Sequence, residues 1–391
     1  MAIKKVGEIN EYSGTTVNPL NTPDITYELY SVPSFDFKYP EIVKGNDIGS
    51  SKITVEENDV LVCKINPRIN RVWVVKHNTK YPLLASSEWI VVRNKSMNPD
   101  YLKWYFSCPT FRRLMESQIA GMGGSLTRAQ PKQVEKYPVP IPEMSAQNEI
   151  ALVLRKLDDL IVLRQQQLEK LGQLVKSRFI EMFGEPIANP MKWPVKSLKK
   201  LSVLITNGNT PKGGSENYVE DGIIFLRSQN VWRNLIDLSD VAYIDSATHE
   251  SMKKSSVHQN DILITKTGRI NTENSSLGRA ALYTGADNSA NINGHVYLVR
   301  LSGEAVPKFI VTILTGEAYR KYIRKVCVGG IDKRQINLDQ VEEFPIIMPP
   351  KEMQQQFAEF AYQVDKSKFD IQLSLEKLEM LKKALMQKYF G

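Results

Sequence analysis

The feature that most constrains this chain of 391 residues is an internal repeat. The segment QVEKYPVPIP at 133–142 returns as QVEEFPIIMP at 340–349, so that a shift of 207 residues separates Gln133 from Gln340. The same shift aligns LEKL at 168–171 with LEKL at 375–378, while a looser match upstream aligns NDVLVCK at 58–64 with NDILITK at 260–266. Such a sustained register indicates a duplication. Each half then consists of a variable domain followed by a more regular tail.

The tails carry the spacing of long amphipathic helices. Ser145 is a candidate N-cap directly after the proline-rich PVPIPEM, and apolar residues follow at alternating intervals of three and four. The predicted seam contains Leu154, Leu157, Ile161, Leu168, Leu171 and Val175 in the first tail, and Val364, Ile371, Leu375, Leu378 and Leu385 in the second. One tail alone is compatible with a helix docked on its own domain. Two matched tails favour a coiled coil that separates two domains.

The sequence pattern of the two variable domains predicts mixed α and β structure. Short β-rich runs such as DILITK and HVYLVRL alternate with Gly, Asn and Pro punctuation, and each part ends in a short helical stretch. We therefore predict an α+β chain with two tandem, pseudo-repeated α/β domains separated by two long helices that form an antiparallel coiled coil. The predicted segments are a first domain at 1–144, a first spacer helix at 145–184, a linker and second domain at 185–349, and a second spacer helix at 350–391.

The composition favours a polyanionic partner. Lysine and arginine exceed aspartate and glutamate by a formal net charge of +8, although a basic but otherwise ordinary protein has the same composition. The sequence contains neither an apolar signal core at its start nor a run long enough to cross a membrane, so we expect a cytoplasmic protein without a membrane partner. Cys63, Cys108 and Cys327 lie far apart, which predicts buried free thiols.

No motif in the chain predicts catalysis. The segment GNTPKGGS at 208–215 approaches a phosphate-binding loop, but Gly214 stands where that loop needs lysine. The four histidines show neither metal-ligand spacing nor a nucleophile partner. We therefore expect no catalytic residue, no metal and no cofactor in this chain.

Basic, polar, glycine-containing loops recur in both halves instead. They are KINPRINR at 64–71, GGSLTRAQPK at 123–132, TKTGRINTENSSLGR at 265–279 and GGIDKRQIN at 329–337. Arginine pairs with guanine edges, asparagine and glutamine with adenine edges, and lysine neutralises phosphate, so this composition suits duplex DNA; ordinary solvated turns are the alternative. The predicted DNA-binding residues are Lys64, Arg68, Arg71, Arg128, Lys132, Lys212, Lys266, Arg269, Arg279, Lys333 and Arg334.

Several sequence segments resemble those of the specificity subunit of Type I restriction-modification systems, and the likeness covers essentially the whole chain. They are VKSLKKLSVLITNGNTPKGG, NDILITKTG, LEKLGQLVKSRFIEMFG and GGIDKRQINLDQVEEFPIIMPPKEMQQQFA. The resemblance implies two target-recognition domains, each reading one half of a split sequence in double-stranded DNA. It also implies helices that dock DNA methyltransferase (modification) subunits, in two copies, with S-adenosylmethionine on those subunits and a restriction/translocase subunit in the complex.

Two other classes of function remain open from the residues alone. A stand-alone DNA methyltransferase or endonuclease needs catalytic motifs within these residues. A coiled-coil adaptor that binds only protein explains the long helices but leaves the matched basic loops without a role.

Overall fold

A computed structural model describes residues 2–117, 119–120, 127–211 and 213–391. The chain divides into two compact units. The first unit comprises Met1–Gln166 together with Gln372–Gly391, and the second unit comprises Gln167–Ile371. Each unit therefore contains one variable domain and parts of both long helices.

The first unit builds its domain from short strands and a pair of adjacent helices. The strands are β1 (Ala2–Lys5), β2 (Thr16–Val17), β3 (Thr26–Tyr30), β4 (Glu41–Lys44), β5 (Lys52–Thr54), β6 (Val60–Cys63), β7 (Val72–Val74), β8 (Leu83–Ser86), β9 (Trp89–Val92), β10 (Ile119–Ala120), β11 (Arg128–Ala129) and β12 (Pro138–Ile141). The helices are α1 (Val6–Ile9), α2 (Pro99–Ser107), α3 (Pro109–Ser117), α4 (Pro131–Val134) and the long α5 (Met144–Phe183), which continues into the second unit.

The strands of the first unit form a five-stranded sheet in the order β2-β5-β8-β3-β4 and a three-stranded sheet in the order β7-β6-β9. Strand β6 is buried along its whole length because both faces of VLVC contact apolar neighbours. Strand β1 pairs antiparallel with β12, with Ala2 opposite Ile141, so the start of the domain is joined to the segment that precedes α5.

The second unit repeats this plan. Its strands are β13 (Val195–Ser197), β14 (Ser202–Asn207), β15 (Ile223–Leu226), β16 (Val231–Trp232), β17 (Leu235–Ile236), β18 (Ala242–Ile244), β19 (Ile262–Thr265), β20 (Thr267–Arg269), β21 (Ala280–Leu282), β22 (Ala290–Ile292), β23 (Val296–Leu301), β24 (Val328–Gly329), β25 (Lys333–Gln335) and β26 (Pro345–Ile347). The helices are α6 (Ser246–Ser251), α7 (Pro307–Thr315), α8 (Glu317–Val326), α9 (Leu338–Glu342) and α10 (Lys351–Phe390), whose last part belongs to the first unit.

The sheets of the second unit have the orders β14-β23-β19-β21 and β18-β15-β22, and β13 pairs antiparallel with β26 as β1 does with β12. Helices α7 and α8 correspond to α2 and α3. The short strands and the closing pair of helices in each unit confirm the predicted α+β fold with two repeated domains.

The two long helices are each 40 residues long. Helix α5 begins at Met144, so Ser145 lies inside it and the prediction of Ser145 as N-cap is wrong. The proline before Met144 sits two residues upstream, which leaves Glu143 at the cap position, where its carbonyl accepts a bond from the Gln147 amide at 3.0 Å. The helix stops at Phe183 because Gly184 adopts a left-handed conformation, with φ of 76°.

In the first unit, the start of α5 and the end of α10 run antiparallel. The Asp158 carboxylate lies 2.5 Å from the Lys382 ammonium, and Leu154 shares one apolar cluster with Phe390. The Phe390 ring lies 5.6 Å from that of Tyr101 and 5.9 Å from that of Tyr105. The end of α10 is thereby packed into the core of the first domain.

In the second unit, the end of α5 and the start of α10 also run antiparallel. The Phe183 ring lies 5.0 Å from that of Phe309 on α7 and 5.7 Å from that of Phe357 on α10. The Lys308 ammonium contacts the Asp365 carboxylate at 2.5 Å. The same helix–domain packing is therefore built twice, and the repeat relates Phe183 to Phe390 and Asp158 to Asp365.

The residues of the predicted seam lie on the inner faces of these helices. Leu154, Leu157, Ile161, Val364 and Leu375 are buried, and Leu168, Leu171, Val175, Ile371, Leu378 and Leu385 are half-buried. Apolar residues on the other faces of the same helices, such as Leu163 and Phe369, are exposed. The burial pattern thus follows the alternating spacing of three and four residues.

A glutamine fixes the start of each long helix to its domain. The Gln147 side chain accepts a bond from the Asn98 amide at 3.0 Å and donates to a proline carbonyl just before α5. Gln354 does the same at α10, accepting from the Val306 amide at 3.1 Å. Both amides are buried, and both of their polar ends are satisfied.

A buried ion pair is also repeated in the two domains. The Arg93 guanidinium makes two bonds of 2.7 Å to Asp59, and Arg300 bonds Asp261 at 2.9 and 2.7 Å. Each aspartate also accepts a backbone amide three residues upstream. The hydrogen bonds that Arg93 donates to Asp59 are the largest cause of its raised pKa. Asp59 and Asp261 lie in the turns before the central strands β6 and β19. Each ion pair links that turn to a neighbouring strand, at the end of β9 in the first unit and within β23 in the second.

We expect Asp261→Ala to lower the free energy of unfolding by about 3–5 kcal/mol, because it leaves the Arg300 guanidinium partly buried without its carboxylate. Urea unfolding followed by circular dichroism measures this change. Asp240→Ala is the matched control, since the Asp240 side chain is exposed and its pairing with Arg227 should contribute less than about 1 kcal/mol. Equal losses in the two variants would contradict the structural role of Asp261.

Candidate nucleic-acid interface

In the second unit, a small sheet brings together the two predicted DNA-binding loops. Strand β25 pairs antiparallel with both β20 and β24. Arg269 on β20 stands opposite Lys333 on β25, and Gly268 stands opposite Arg334. The Ile336 amide donates to the Lys266 carbonyl at 2.9 Å, extending the pairing beyond the sheet. Basic residues more than sixty positions apart in sequence therefore share one surface.

The first unit pairs its corresponding loops in the same way. Ile65 forms an isolated antiparallel bridge with Arg128, and the Ala129 amide donates to the Lys64 carbonyl at 2.9 Å. The Asn66 amide donates to the Thr127 carbonyl at 2.8 Å. The bond between Ala129 and Lys64 corresponds to the one between Ile336 and Lys266, so the loop pairing belongs to the repeat.

The hairpin of β24 and β25 presents its tip to solvent. Arg269 and Lys333 are exposed, and the Arg269 guanidinium lies 3.4 Å from the Asp332 carboxylate. Arg334 is half-buried and donates from Nε to the Gly330 carbonyl at 3.2 Å. Ile331 at the tip is 90% exposed. These contacts hold the hairpin in shape while leaving basic groups at its surface.

Glycine is required where this hairpin turns. Gly329 has φ of 130°, and a Cβ at this position would lie 2.9 Å from the Lys333 carbonyl oxygen. The close approach of the two strands thus depends on the absence of a side chain.

The first unit exposes a comparable set. Arg68 and Lys132 are exposed, and the exposed Arg128 donates to Glu88 at 2.9 Å. Arg68 sits in a short helical turn between two asparagines in the left-handed region, Asn66 and Asn70, with φ of 46° and 51°. The loop conformation therefore follows from its Asn-Pro-Arg-Ile-Asn sequence.

Three of the predicted DNA-binding residues have side chains that contact other groups of the protein. Lys64 donates to the Ser87 carbonyl at 2.7 Å, and Lys266 lies 5.7 Å from the centroid of a tyrosine ring. Arg71 is half-buried and lies 3.8 Å from the Asp36 carboxylate. These residues are less accessible to a ligand than Arg68, Lys132 or Lys333.

Arg279 is the most buried of the predicted DNA-binding residues that the structure describes. It is 7% exposed, donates to the carbonyls of Asn274 and Ser275, and lies with its guanidinium carbon 3.8 Å above the Trp232 ring. Burial lowers its pKa. These contacts occupy the guanidinium and hold it against the loop at 272–279. Lys212 lies outside the described residues.

The second unit carries further arginines outside the predicted loops, and three of them concern this surface. Arg233 occupies the turn between β16 and β17, while Arg320 and Arg324 lie four positions apart on α8. The segment YRKYIRK predicts two arginines on one helix face, because they are four positions apart. Nothing in the sequence connects that helix with residue 233.

No metal-ligating group of histidine, cysteine and carboxylate side chains occurs among the described residues. The three cysteines are buried and free, as predicted, and burial raises the pKa of Cys63 and Cys108. Within the same part of the chain, no helix combines the length and apolar character needed to cross a membrane.

Two solved structures with a similar fold come from Type I systems. The S subunit of a Type I restriction-modification system from M. genitalium has a TM-score of 0.60 at 12% identity, covering 100% of this chain and 96% of that chain. A chain from a structural study of complex assembly and conformational transition in the type I R-M system has a TM-score of 0.58 at 16% identity, covering 100% and 97%. At these identities the likeness concerns the fold.

Sequence relatives include two proteins of Methanocaldococcus jannaschii. The Type I restriction enzyme MjaVIII specificity subunit is 22% identical over 87% of this chain and 80% of its own length. The putative type I restriction enzyme MjaX specificity subunit is 25% identical over 51% of this chain, and the match spans 46% of that relative.

The family comparison covers both halves of the repeat. The profile of the Type I restriction modification DNA specificity domain matches residues 1–173 and again residues 190–380. The two matches together span most of the chain and coincide with the two repeated domains and their helices. The chain belongs to the Type I restriction-modification DNA specificity family, as a specificity component rather than a catalytic one.

Proposed function

We propose that this chain reads a bipartite target in double-stranded DNA, with one half-site for each domain. The observation that carries the proposal is the repeated pairing of two basic loops, through Lys64 with Ala129 and through Lys266 with Ile336. A surface that is basic by composition alone does not require the same pairing of loops in both domains. The repeat thus supplies two similar scaffolds with different exposed side chains.

The exposed side chains fit the chemistry of DNA recognition. Arginine binds the O6 and N7 of guanine with two bonds, and lysine neutralises phosphate. Arg269 and Lys333 in the second unit, and Arg68 and Lys132 in the first, supply these groups. Two linked domains also bind with a higher effective concentration than either alone, which allows each half-site to be short.

In this proposal the long helices act as the spacer and dock the partner subunits. Apolar side chains on the outer faces of the helices support docking: Leu163 and Met380 in the first unit are 52% and 64% exposed, and Phe369 in the second unit is 64% exposed. The partners are two methyltransferase (modification) subunits carrying S-adenosylmethionine and a restriction/translocase subunit. The complex then acts on DNA in the cytoplasm.

We expect the purified chain alone neither to methylate nor to cut DNA, and the cognate modification subunit to create sequence-specific methylation only when this chain is present. Transfer of labelled methyl groups to genomic DNA, followed by mapping of the modified bases, measures this. Methylation by the isolated chain would support a stand-alone enzyme instead. Absence of any duplex binding by the reconstituted complex would support a protein-binding adaptor.

Arg334→Ala should weaken recognition of one half-site by about 1–3 kcal/mol if this arginine contacts a base, and weaken all duplexes evenly if it contacts phosphate. Binding of the reconstituted complex to a set of single-base variants of the target distinguishes the two cases. Arg334→Lys retains the charge but loses the two-bond geometry. Lys254→Ala, an exposed lysine of the same unit, is the control, and equal binding by all four proteins would remove Arg334 from the interface.

Replacing residues 190–349 by the second domain of another member of the family should change one half of the methylated sequence and leave the other half intact. The two domains have separate cores, so the exchange preserves the first unit's packing. Mapping of methylated bases in DNA modified by the hybrid complex gives the result. A change in both halves would show that the two domains do not read independently.

A further inference from the structure

Four arginines of the second unit gather from three separate segments; we call them the arginine cluster. They are Arg233 in the turn of the β16–β17 hairpin, Arg279 at the end of the loop at 272–279, and Arg320 and Arg324 on α8. Their proximity is a tertiary feature, because 91 positions separate the first from the last.

The hairpin side of the cluster is held rigidly. The Arg279 guanidinium stacks on Trp232, and the next residue in the chain, Ala280, accepts a bond through its carbonyl from the Asn234 amide at 2.9 Å. The Asn234 side chain also donates to the Thr315 hydroxyl at 3.1 Å. Arg233 therefore lies in a turn that is fixed on both sides.

The helix side of the cluster is equally well defined. Gly278 lies so close to α8 that a Cβ there would be 2.8 Å from the Ile323 side chain, and its φ is 65°. Arg320 and Arg324 are four positions apart and therefore share one face of α8. Arg320 is half-buried, whereas Arg324 is exposed. The loop that ends in Arg279 thus rests on the helix that carries these two arginines.

The positive charges of the arginine cluster are close enough to lower the pKa of neighbouring arginines. Burial is the main cause of a lowered pKa for Arg233, and the charges of Arg279 and Arg324 lower it further. Burial also lowers the pKa of Arg320, again with help from Arg233 and Arg324. Among the carboxylates that act on these arginines, Glu273 faces Arg233 and Glu317 faces Arg320, and Glu317 already lies 3.3 Å from the Lys321 ammonium.

We propose that Arg233, Arg320 and Arg324 of the arginine cluster bind a phosphate of the DNA backbone and so fix the register in which the β24–β25 hairpin meets the bases. Arg279, whose guanidinium is already bonded to carbonyls and stacked on Trp232, holds the turn that carries Arg233. Collecting four cations opposite two carboxylates costs folding free energy, and a phosphate group offsets that cost through paired, charge-assisted hydrogen bonds. The proposal rests on the proposed DNA-reading function and adds the contact that positions it.

DNA is favoured over an acidic protein surface by continuity with the hairpin. Helix α8 ends at Val326 and β24 begins at Val328, so only three residues separate Arg324 of the cluster from the hairpin. The loop that starts at Arg269 on β20 ends at Arg279 in the cluster. Phosphate contacts that flank a base-reading element are the usual means of fixing its orientation on a duplex.

The cluster belongs to the second half of the repeat. When α3 and α8 are aligned by their first residues, Pro109 and Glu317, Arg112 corresponds to Arg320, but Glu116 corresponds to Arg324. The first unit therefore has only part of the helical contribution, and the proposed phosphate contact is asymmetric.

The test compares two double variants in the complex reconstituted with modification subunits. Arg320→Gln/Arg324→Gln removes two charges from the cluster, and Lys253→Gln/Lys254→Gln removes two charges from exposed lysines of the same unit that follow α6. Dissociation constants are measured over a range of salt concentrations, for a target duplex identified by methylation mapping and for an unrelated duplex. Both variants have the same net charge.

The expected result for the arginine variant is binding about tenfold weaker to both duplexes, with a salt slope smaller by about 0.9 for each phosphate that the variant no longer neutralises. The control should retain the wild-type slope. The base preferences of the arginine variant should be unchanged. Arg233→Gln, in an exposed turn, should reduce the slope by about 0.9 and provides the same test should the helix variant unfold.

Wild-type slopes and affinities in the folded arginine variants would overturn the proposal while leaving the DNA-reading function intact. Loss of modification-subunit binding with the DNA slope unchanged would assign the cluster to an acidic protein surface and would also overturn it. A wild-type complex that binds neither duplex specifically would instead refute the proposed function.

Discussion

The packing of helix ends into the domain cores is the interaction on which the rest of the structure depends. In the first unit Phe390 contacts Tyr101 and Tyr105, and in the second Phe183 contacts Phe309 and Phe357. Aromatic rings bury large areas and resist rotation when packed edge to face, so they fix both the position and the direction of each helix end. Because most of the stability of a helix in a protein comes from tertiary packing of its apolar face, these contacts anchor both 40-residue helices.

The anchored helices leave the recognition loops to be shaped by backbone bonds. Each domain joins its two basic loops through an amide that donates to the carbonyl after the central strand: Ala129 to Lys64, and Ile336 to Lys266. Since backbone bonds do not depend on side-chain identity, the loops can change their side chains without losing their pairing. This division is suited to a protein whose scaffold is duplicated but whose two ligand-facing surfaces differ.

Electrostatics add a second distinction between scaffold and surface. The buried pairs Asp59–Arg93 and Asp261–Arg300 balance their charges within the domain cores. The arginine cluster has an excess of positive charge at the surface of the second unit. Balanced buried charges serve stability, whereas an unbalanced group of cations on rigid elements is better suited to an anionic ligand.

The sequence by itself determined the duplication, the two long helices and their buried faces, because a 207-residue register and an alternating spacing of three and four residues are written directly in the order of residues. It located the helix start only approximately, since local capping signals at Ser145 competed with the backbone geometry at Glu143. The basic loops were visible from composition, but their pairing through Ala129 and Ile336 is a long-range backbone contact that periodicity does not encode. The burial of Arg279 on Trp232, and its meeting with Arg233, were likewise decided only by tertiary structure. Accessibility and charge proximity depend on distances between remote segments, and those distances exist only once the chain has folded.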